Sequence, residues 1–168
     1  IVGPTGSGKT TIISLLCRLY DPDKGSIRID GQNIEQYSLD TLRTSLGCAP
    51  QDSFVFSDTI RENIRMANPT MEEPAIHQAC DIACFTKDLD EMPAGLDTLL
   101  GERGINLSGG QKQRLMLARA IDRDPVVLLL DDTLSSVDAD TEQAILHGLR
   151  NVMATRTCII ISHRVSAI

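Results

Sequence analysis

No stretch of this sequence comes near the roughly 20 consecutive apolar residues that a helix needs to span a bilayer, and no cleavable leader is visible. The chain is therefore expected not to cross a membrane by itself. A surplus of positive charge is missing too: 16 lysines and arginines face 23 aspartates and glutamates, a net charge of −7 with a pI of about 4.9. That balance argues against a broad nucleic-acid surface, whose phosphates demand clustered cations. A disulfide framework is also lacking. The five cysteines (Cys17, Cys48, Cys80, Cys84 and Cys158) are odd in number and irregular in spacing, as reduced thiols inside a cell would be. His77, Cys80 and Cys84 could share one helix face and hold a metal, but a half-buried helical stripe explains the same spacing more simply. Internal repeats, low-complexity tracts and heptads are absent. What is left is 168 residues, 42% hydrophobic and 23% charged, the size and composition of about one globular domain with a substantial core. The sequence starts almost inside its first motif and stops at Ile168 in mid-pattern, as a piece of something longer would.

That first motif is Gly3-Pro4-Thr5-Gly6-Ser7-Gly8-Lys9-Thr10, which fits the phosphate-loop pattern G-x-x-x-x-G-K-[ST] behind a short apolar lead, Ile1-Val2. Gly6 and Gly8 have no Cβ, so the loop can bend and bring backbone N–H groups close to phosphate oxygens. A helix starting near Lys9 points its positive end at the same anion. Lys9 adds a mobile charge for the outer phosphates, and the Thr10 hydroxyl is a Mg²⁺ ligand. The competing reading is a Gly/Ser/Thr surface turn that happens to fit.

Downstream, Thr10–Leu19 reads as a buried helix ended by Asp21-Pro22. Ser26–Ile29 alternates with period two into Asp30-Gly31, a hairpin signal. Ser38–Ser45 reads as a short helix and Leu46–Ala49 as a strand, with Pro50-Gln51-Asp52 opening a loop. Between about Ser57 and Ile121 only helices are expected, over 59–66, 71–84 and 108–121, with a Gly-rich connection at 93–104. Val126–Leu130 is a continuous apolar run of strand length, typical of a parallel sheet covered on both faces. It delivers Asp131-Asp132 to the C-terminal edge, where open α/β sheets bind ligands. After a helix over 140–153, strand Thr157–Ile161 delivers Ser162-His163 to the same edge. The expected fold is α/β: a P-loop NTPase with a mostly parallel sheet flanked by helices, residues 1–56 and 122–168 forming the core and 57–121 an inserted all-helical subdomain.

Paired acids after a buried strand, downstream of a phosphate loop, have a definite task. Asp131 holds Mg²⁺ opposite Thr10, and Asp132 stands where a base or water-orienting carboxylate belongs. Leu107-Ser108-Gly109-Gly110-Gln111 precedes another helix. Ser108 is a good N-cap and the glycines expose backbone N–H groups, which builds a second anion site. One ATP needs only one such site, so the second is expected to serve an ATP held by another subunit. A plain capped helix is the simpler alternative.

Together these motifs resemble, in order and over nearly the whole chain, the ATP-binding cassette of membrane transporters. GPTGSGKT at 3–10 resembles the Walker A motif, with Thr11 behind it, and Gln51 the Q-loop glutamine. LSGGQ at 107–111 matches the family signature, VVLLLD at 126–131 resembles Walker B, Ser135-Ser136-Val137-Asp138 the D-loop, and His163 the switch histidine. Residues 51–64 and 95–104 are similar to the exporter branch. The resemblance implies ATP with Mg²⁺, held by Thr10, Gln51 and Asp131, and two cassettes packed head to tail at the cytoplasmic face of a membrane. It implies that Ser108, Gly110 and Gln111 touch the partner's γ-phosphate, and that Asp132, Gln51 and His163 serve hydrolysis in cis. Asp138 would communicate between the sites, and a transmembrane domain of the same transporter would be moved. Nucleic acid is not an implied partner.

Two features depart from the family. Its adenine-stacking aromatic lies upstream of Walker A, and neither Tyr20 nor Tyr37 takes that place. The residue after the Walker B aspartate, usually Glu, is Asp132, as in the degenerate half of asymmetric exporters. The rival readings are a soluble cassette ATPase of DNA repair or translation, which the acidic balance and residues 51–64 oppose, and a non-hydrolysing nucleotide sensor, which Asp132 partly favours.

Overall fold

The computed structural model describes residues 1–66 and 68–162. Its centre is a parallel sheet in which β4 (Val127–Asp131) lies between β3 (Leu46–Ala49) and β5 (Thr157–Ile161). Every residue of β4 is buried. Val127 and Leu129 point into one hydrophobic cluster, with Ile13, Leu42 and Ile161, while Leu128 and Leu130 point into another, with Leu115, Leu117, Ile145 and Leu149. That two-residue alternation is the strand's own period, and apolar side chains on both faces produce the unbroken run in the sequence. On the far side of β5, Val2 bridges in parallel to Ser162. The segment entering the phosphate loop, the strand leading to Asp131 and β5 therefore all run the same way and release their loops at one edge, as expected.

Seven α-helices surround the sheet among the described residues: α1 (Lys9–Leu16), α2 (Leu39–Thr44), α3 (Ile60–Arg65), α4 (Glu73–Ile82), α5 (Thr86–Asp90), α6 (Gly109–Asp122) and α7 (Ala139–Ala154). Helix α6 packs on β3 with one side and on α3 and α4 with the other. The approach to β3 is so close that a Cβ at Gly47 would stand 2.3 Å from the Ala120 carbonyl oxygen, which reserves that position for glycine.

The structure moves three expected boundaries. Helix α1 stops well before Asp21-Pro22 because Arg18 takes a left-handed backbone (φ 48°) and the Leu19 N–H turns back to the Ser14 carbonyl (2.9 Å), a Schellman closure without glycine. Cys84 (φ 54°) breaks the expected 71–84 helix, and the short α5 follows in a stretch left unassigned by the sequence pattern. The 26–29 strand shrinks to β1 (Arg28–Ile29), paired with β2 (Gln32–Asn33) across Asp30 and Gly31, both at positive φ, the signature of a type I′ turn.

One buried group has no place in the sequence reading. Asp122, at the end of α6, is 1% exposed and neither carboxylate oxygen has a hydrogen-bond partner. Burial pushes its pKa up to about 7, against a weaker downward pull from Arg65. An acid whose pKa rises on folding holds its proton more tightly in the native state, so stability is greatest below the unfolded value and falls as pH climbs through about 7. Asp122→Leu is expected to stabilise the domain by about 1–3 kcal/mol at pH 8, the cost of an unpartnered buried polar group. Thermal melts at pH 5 and pH 8 check this: the substitution should narrow the gap between them.

Candidate active site

The phosphate loop is shaped by two residues that no side chain could replace cheaply: Gly6 (φ 81°) and Gly8 (φ 86°) both lie in the left-handed region. Gly8 is also the N-cap of α1, and with no side chain to cap it, the first N–H groups of the helix stay available to an anion. Lys9 folds back under the loop. Its ammonium donates to the carbonyl oxygens of Gly3 (2.7 Å) and Pro4 (2.9 Å), and the residue is 8% exposed. Ser7 N–H closes the bend onto Pro4 (3.2 Å). A cation held by neutral carbonyls beside the uncapped start of α1 suits a phosphate chain.

The loop opens on a cleft of about 280 Å³ lined by Thr5, Gly6, Gly8, Lys9, Thr10, Thr11, Gln51 and Asp131. Three sequence-separated segments thus meet in one place: the loop with its threonine, the glutamine after β3 and the acid that ends β4. Asp131 is 2% exposed, an oxygen donor set opposite a hydroxyl and a carboxamide, which fits a hard divalent cation. Asp132 does not line the cleft. Its backbone turns left-handed (φ 49°), its N–H is held by the Ile161 carbonyl (2.9 Å), and its carbonyl accepts from the Ser135 hydroxyl (2.8 Å). His163 lies outside the described residues.

The start of α6, expected to be a second anion site, carries a capping box. Ser108 Oγ accepts from the Gln111 N–H (3.2 Å) and Gln111 Oε1 accepts from the Ser108 N–H (2.9 Å), fixing the start of α6 with Gly109 and Gly110 in its first turn. The Gln111 amide is engaged at both ends, since its Nε2 donates to Asp88 (3.1 Å). It is therefore turned into its own chain, away from the phosphate contact the resemblance implied for it.

A family model described as "ABC transporter" matches residues 1–135. The chain belongs to the ABC transporter family. It is 48% identical over its full length to a probable multidrug resistance ABC transporter ATP-binding/permease protein of Bacillus subtilis, covering 29% of that protein. It is 45% identical to the human mitochondrial iron-sulfur clusters transporter ABCB7, covering 22% of it. Among solved structures, a bacterial Atm1-family ABC exporter with ATP bound superposes with a TM-score of 0.95 at 44% identity, over 99% of this chain and 29% of that one. The chain thus spans less than a third of the length of these relatives.

Within this ABC domain the structure adds residues the sequence reading passed over. Gln113, buried in α6, accepts from the Ser136 N–H (2.9 Å) and donates to Ser135 Oγ (3.0 Å), tying the signature helix to the loop that follows Asp132. Asp138, already singled out in the D-loop, caps α7, accepting from the Thr141 N–H (2.9 Å) and hydroxyl (2.7 Å), and those bonds hold its carboxyl below the usual range. Arg119, desolvated to a pKa of about 10, donates to Asn63 (2.6 and 2.7 Å) and to the Phe54 carbonyl (3.1 Å), while stacking on Phe56. The exporter-like stretches pair with each other: Leu100 N–H donates to the Asp58 carbonyl (2.9 Å), and Arg61 grips Asp97 (2.8 Å). Gln113 and Arg119 sit two and eight residues beyond the signature, polar positions on a helix whose buried face contains them; that placement was the available signal. As for the alternative metal cluster, Cys80 is fully buried with its thiol pushed up to about 12, while His77 is half-exposed beside Glu73.

Among the described residues no helix is long and apolar enough to cross a membrane.

Proposed function

We propose that the chain is the nucleotide-binding domain of an exporter, binding ATP with Mg²⁺ and hydrolysing it in a head-to-tail pair at the cytoplasmic face of a membrane. The observation that carries this is the single cleft uniting Lys9, Thr10, Gln51 and Asp131. In it the N–H groups at the α1 start and the Lys9 ammonium bind the phosphate chain. Thr10, Gln51 and Asp131 hold the magnesium, which neutralises charge on the outer phosphates. Ser108 and Gly110 reach the partner's γ-phosphate, while Gln111 builds the cap beneath them. Gln51 and His163 sense the γ-phosphate and water in cis, and Asp132 orients that water.

Coupling to a transmembrane domain of the same transporter runs through the face where the two exporter-like stretches meet. On those stretches Phe54 and Leu99 are 51% and 69% exposed, apolar side chains open to a docked segment. A groove of about 460 Å³ runs from Leu19 past Cys48 to Phe54 and Arg119. Residues 57–121 act as the arm that carries the signature, moving as ATP binds and leaves.

Lys9→Ala tests the assignment. Removing a charged partner of the phosphates costs about 1.5–3 kcal/mol, so ATP affinity should fall at least about tenfold, with the fold unchanged. Calorimetry giving equal affinities in wild type and variant refutes it.

A further inference from the structure

The first turn of the signature helix is held by its own capping box and, in addition, by an acid from another helix. Asp88 lies in α5, 9% exposed, and its two oxygens gather three donors from α6. Gln111 Nε2 reaches Oδ1 (3.1 Å), Arg114 Nη2 reaches Oδ1 (2.9 Å) and Arg114 Nε reaches Oδ2 (2.9 Å), a two-point guanidinium–carboxylate pair with both side chains largely buried.

The chemistry gives each bond a consequence. An ionised carboxylate only accepts, so the Gln111 amide must face it with nitrogen, and its oxygen is left to take the Ser108 N–H. Flipping that amide would set its Oε1 against the carboxylate and its NH₂ against the Ser108 N–H, two repulsive contacts at once. Arg114 is fixed by the same acid and lies directly under the signature: a Cβ at Gly110 would stand 3.3 Å from Arg114 Nη1 and 3.0 Å from the Ser136 carbonyl. The guanidinium thus forms the floor on which Gly110 rests, next to the loop that Gln113 ties down.

We propose that Asp88 is a positioning residue for the signature, fixing the Gln111 amide and the Arg114 guanidinium and through them the α6 start that meets the partner's nucleotide. This rests on the head-to-tail reading above. Asp88 acts on the ATP of the other subunit while lying outside the cleft of its own, so its loss should slow turnover without weakening ATP binding by this chain.

The test uses the full-length transporter that contains this chain, in lipid. Asp88→Asn keeps the shape and removes the charge; Asp88→Ala removes the acceptors altogether. Turnover is expected to fall by about tenfold or more in both, the loss of hydrogen bonds to a charged group. Labelling of this chain's own Walker A site by a photoreactive ATP analogue should keep its wild-type concentration dependence, which a general loss of structure would not allow. Residues acting as one unit should also be non-additive, so Ser108→Ala added to Asp88→Asn should cost little more than the larger single effect. Turnover of Asp88→Asn within twofold of wild type, multiplicative effects in the double variant, or failure of both variants to accumulate folded protein would each overturn the proposal. Ser108→Arg separates the two levels. If it leaves turnover intact, the head-to-tail reading itself fails; if it stops turnover while Asp88→Asn does not, only the role of Asp88 falls.

Discussion

Ser108→Arg should abolish ATP turnover by the assembled pair while leaving ATP binding by this chain nearly unchanged. Ser108 lies outside the cleft of Lys9, Thr10 and Asp131, so nothing in that cleft loses a contact. What the substitution changes is the surface that, in the proposed head-to-tail pair, closes on the other subunit's nucleotide. The serine is exposed at the N-cap of α6, and an arginine there adds a long side chain where the two subunits must come within hydrogen-bond distance through one ATP. It also removes the acceptor for the Gln111 N–H, a cap bond that typically contributes about 1 kcal/mol to a helix. That second loss is local and small, whereas the first blocks closure. The measurement pairs equilibrium ATP binding with phosphate release by the same preparation. Normal binding with turnover reduced to background supports action in trans; normal binding with normal turnover would reduce the signature to a capped helix.

The phosphate loop, β4 and the capping box were legible because each is specified locally. Left-handed backbone needs glycine at Gly6 and Gly8, burial on both faces makes β4 apolar throughout, and the Ser108–Gln111 pair closes within four residues. What was hidden depends on contacts between distant segments. Arg18, Cys84 and Asp132 adopt left-handed backbones although none is glycine, and no local rule assigns those conformations to them. A tertiary bond holds Asp132, whose N–H goes to Ile161, while Arg18 and Cys84 close their helices through bonds back to the preceding turn, Leu19 N–H to Ser14 and Phe85 N–H to Cys80. Asp88 and Arg119 look like ordinary surface charges in the sequence, yet both are spent on partners 23 to 65 residues away. The same holds for Asp122, whose burial follows from how α4, α6 and α7 pack and not from its neighbours in sequence. The exporter-like stretches were recognisable as a resemblance, but that they pair edge to edge through Thr59 and Leu99 is visible only in three dimensions.

Asp132→Glu should speed ATP cleavage at this chain's own site, by up to about 10²-fold. Aspartate is one methylene shorter than glutamate, which withdraws the carboxylate by roughly one C–C bond, about 1.5 Å. A misplacement near 1 Å can cost about 10²-fold, and a positioned base is itself worth about 10²–10⁴-fold. The simplest rescue would be a backbone shift that carries Asp132 forward, but its main chain is held on both sides: the N–H by Ile161 in β5, and the carbonyl by the Ser135 hydroxyl and, at 3.5 Å, by Gln113. Its absence from the lining of the phosphate cleft agrees with a carboxylate set too far back. We therefore expect this site to bind ATP well and cleave it slowly, and the opposite site, made from this chain's signature and a partner's Walker motifs, to carry most turnover if that partner has glutamate. Such an assembly is a heterodimer or a tandem of unlike halves. Single-turnover hydrolysis at each site, in the full transporter with and without Asp132→Glu, decides the matter. A clear gain confined to this chain's site supports the withdrawn carboxylate. No gain, or wild-type cleavage equally fast at both sites, would mean that Asp132 already serves as the base in a pair of equal halves.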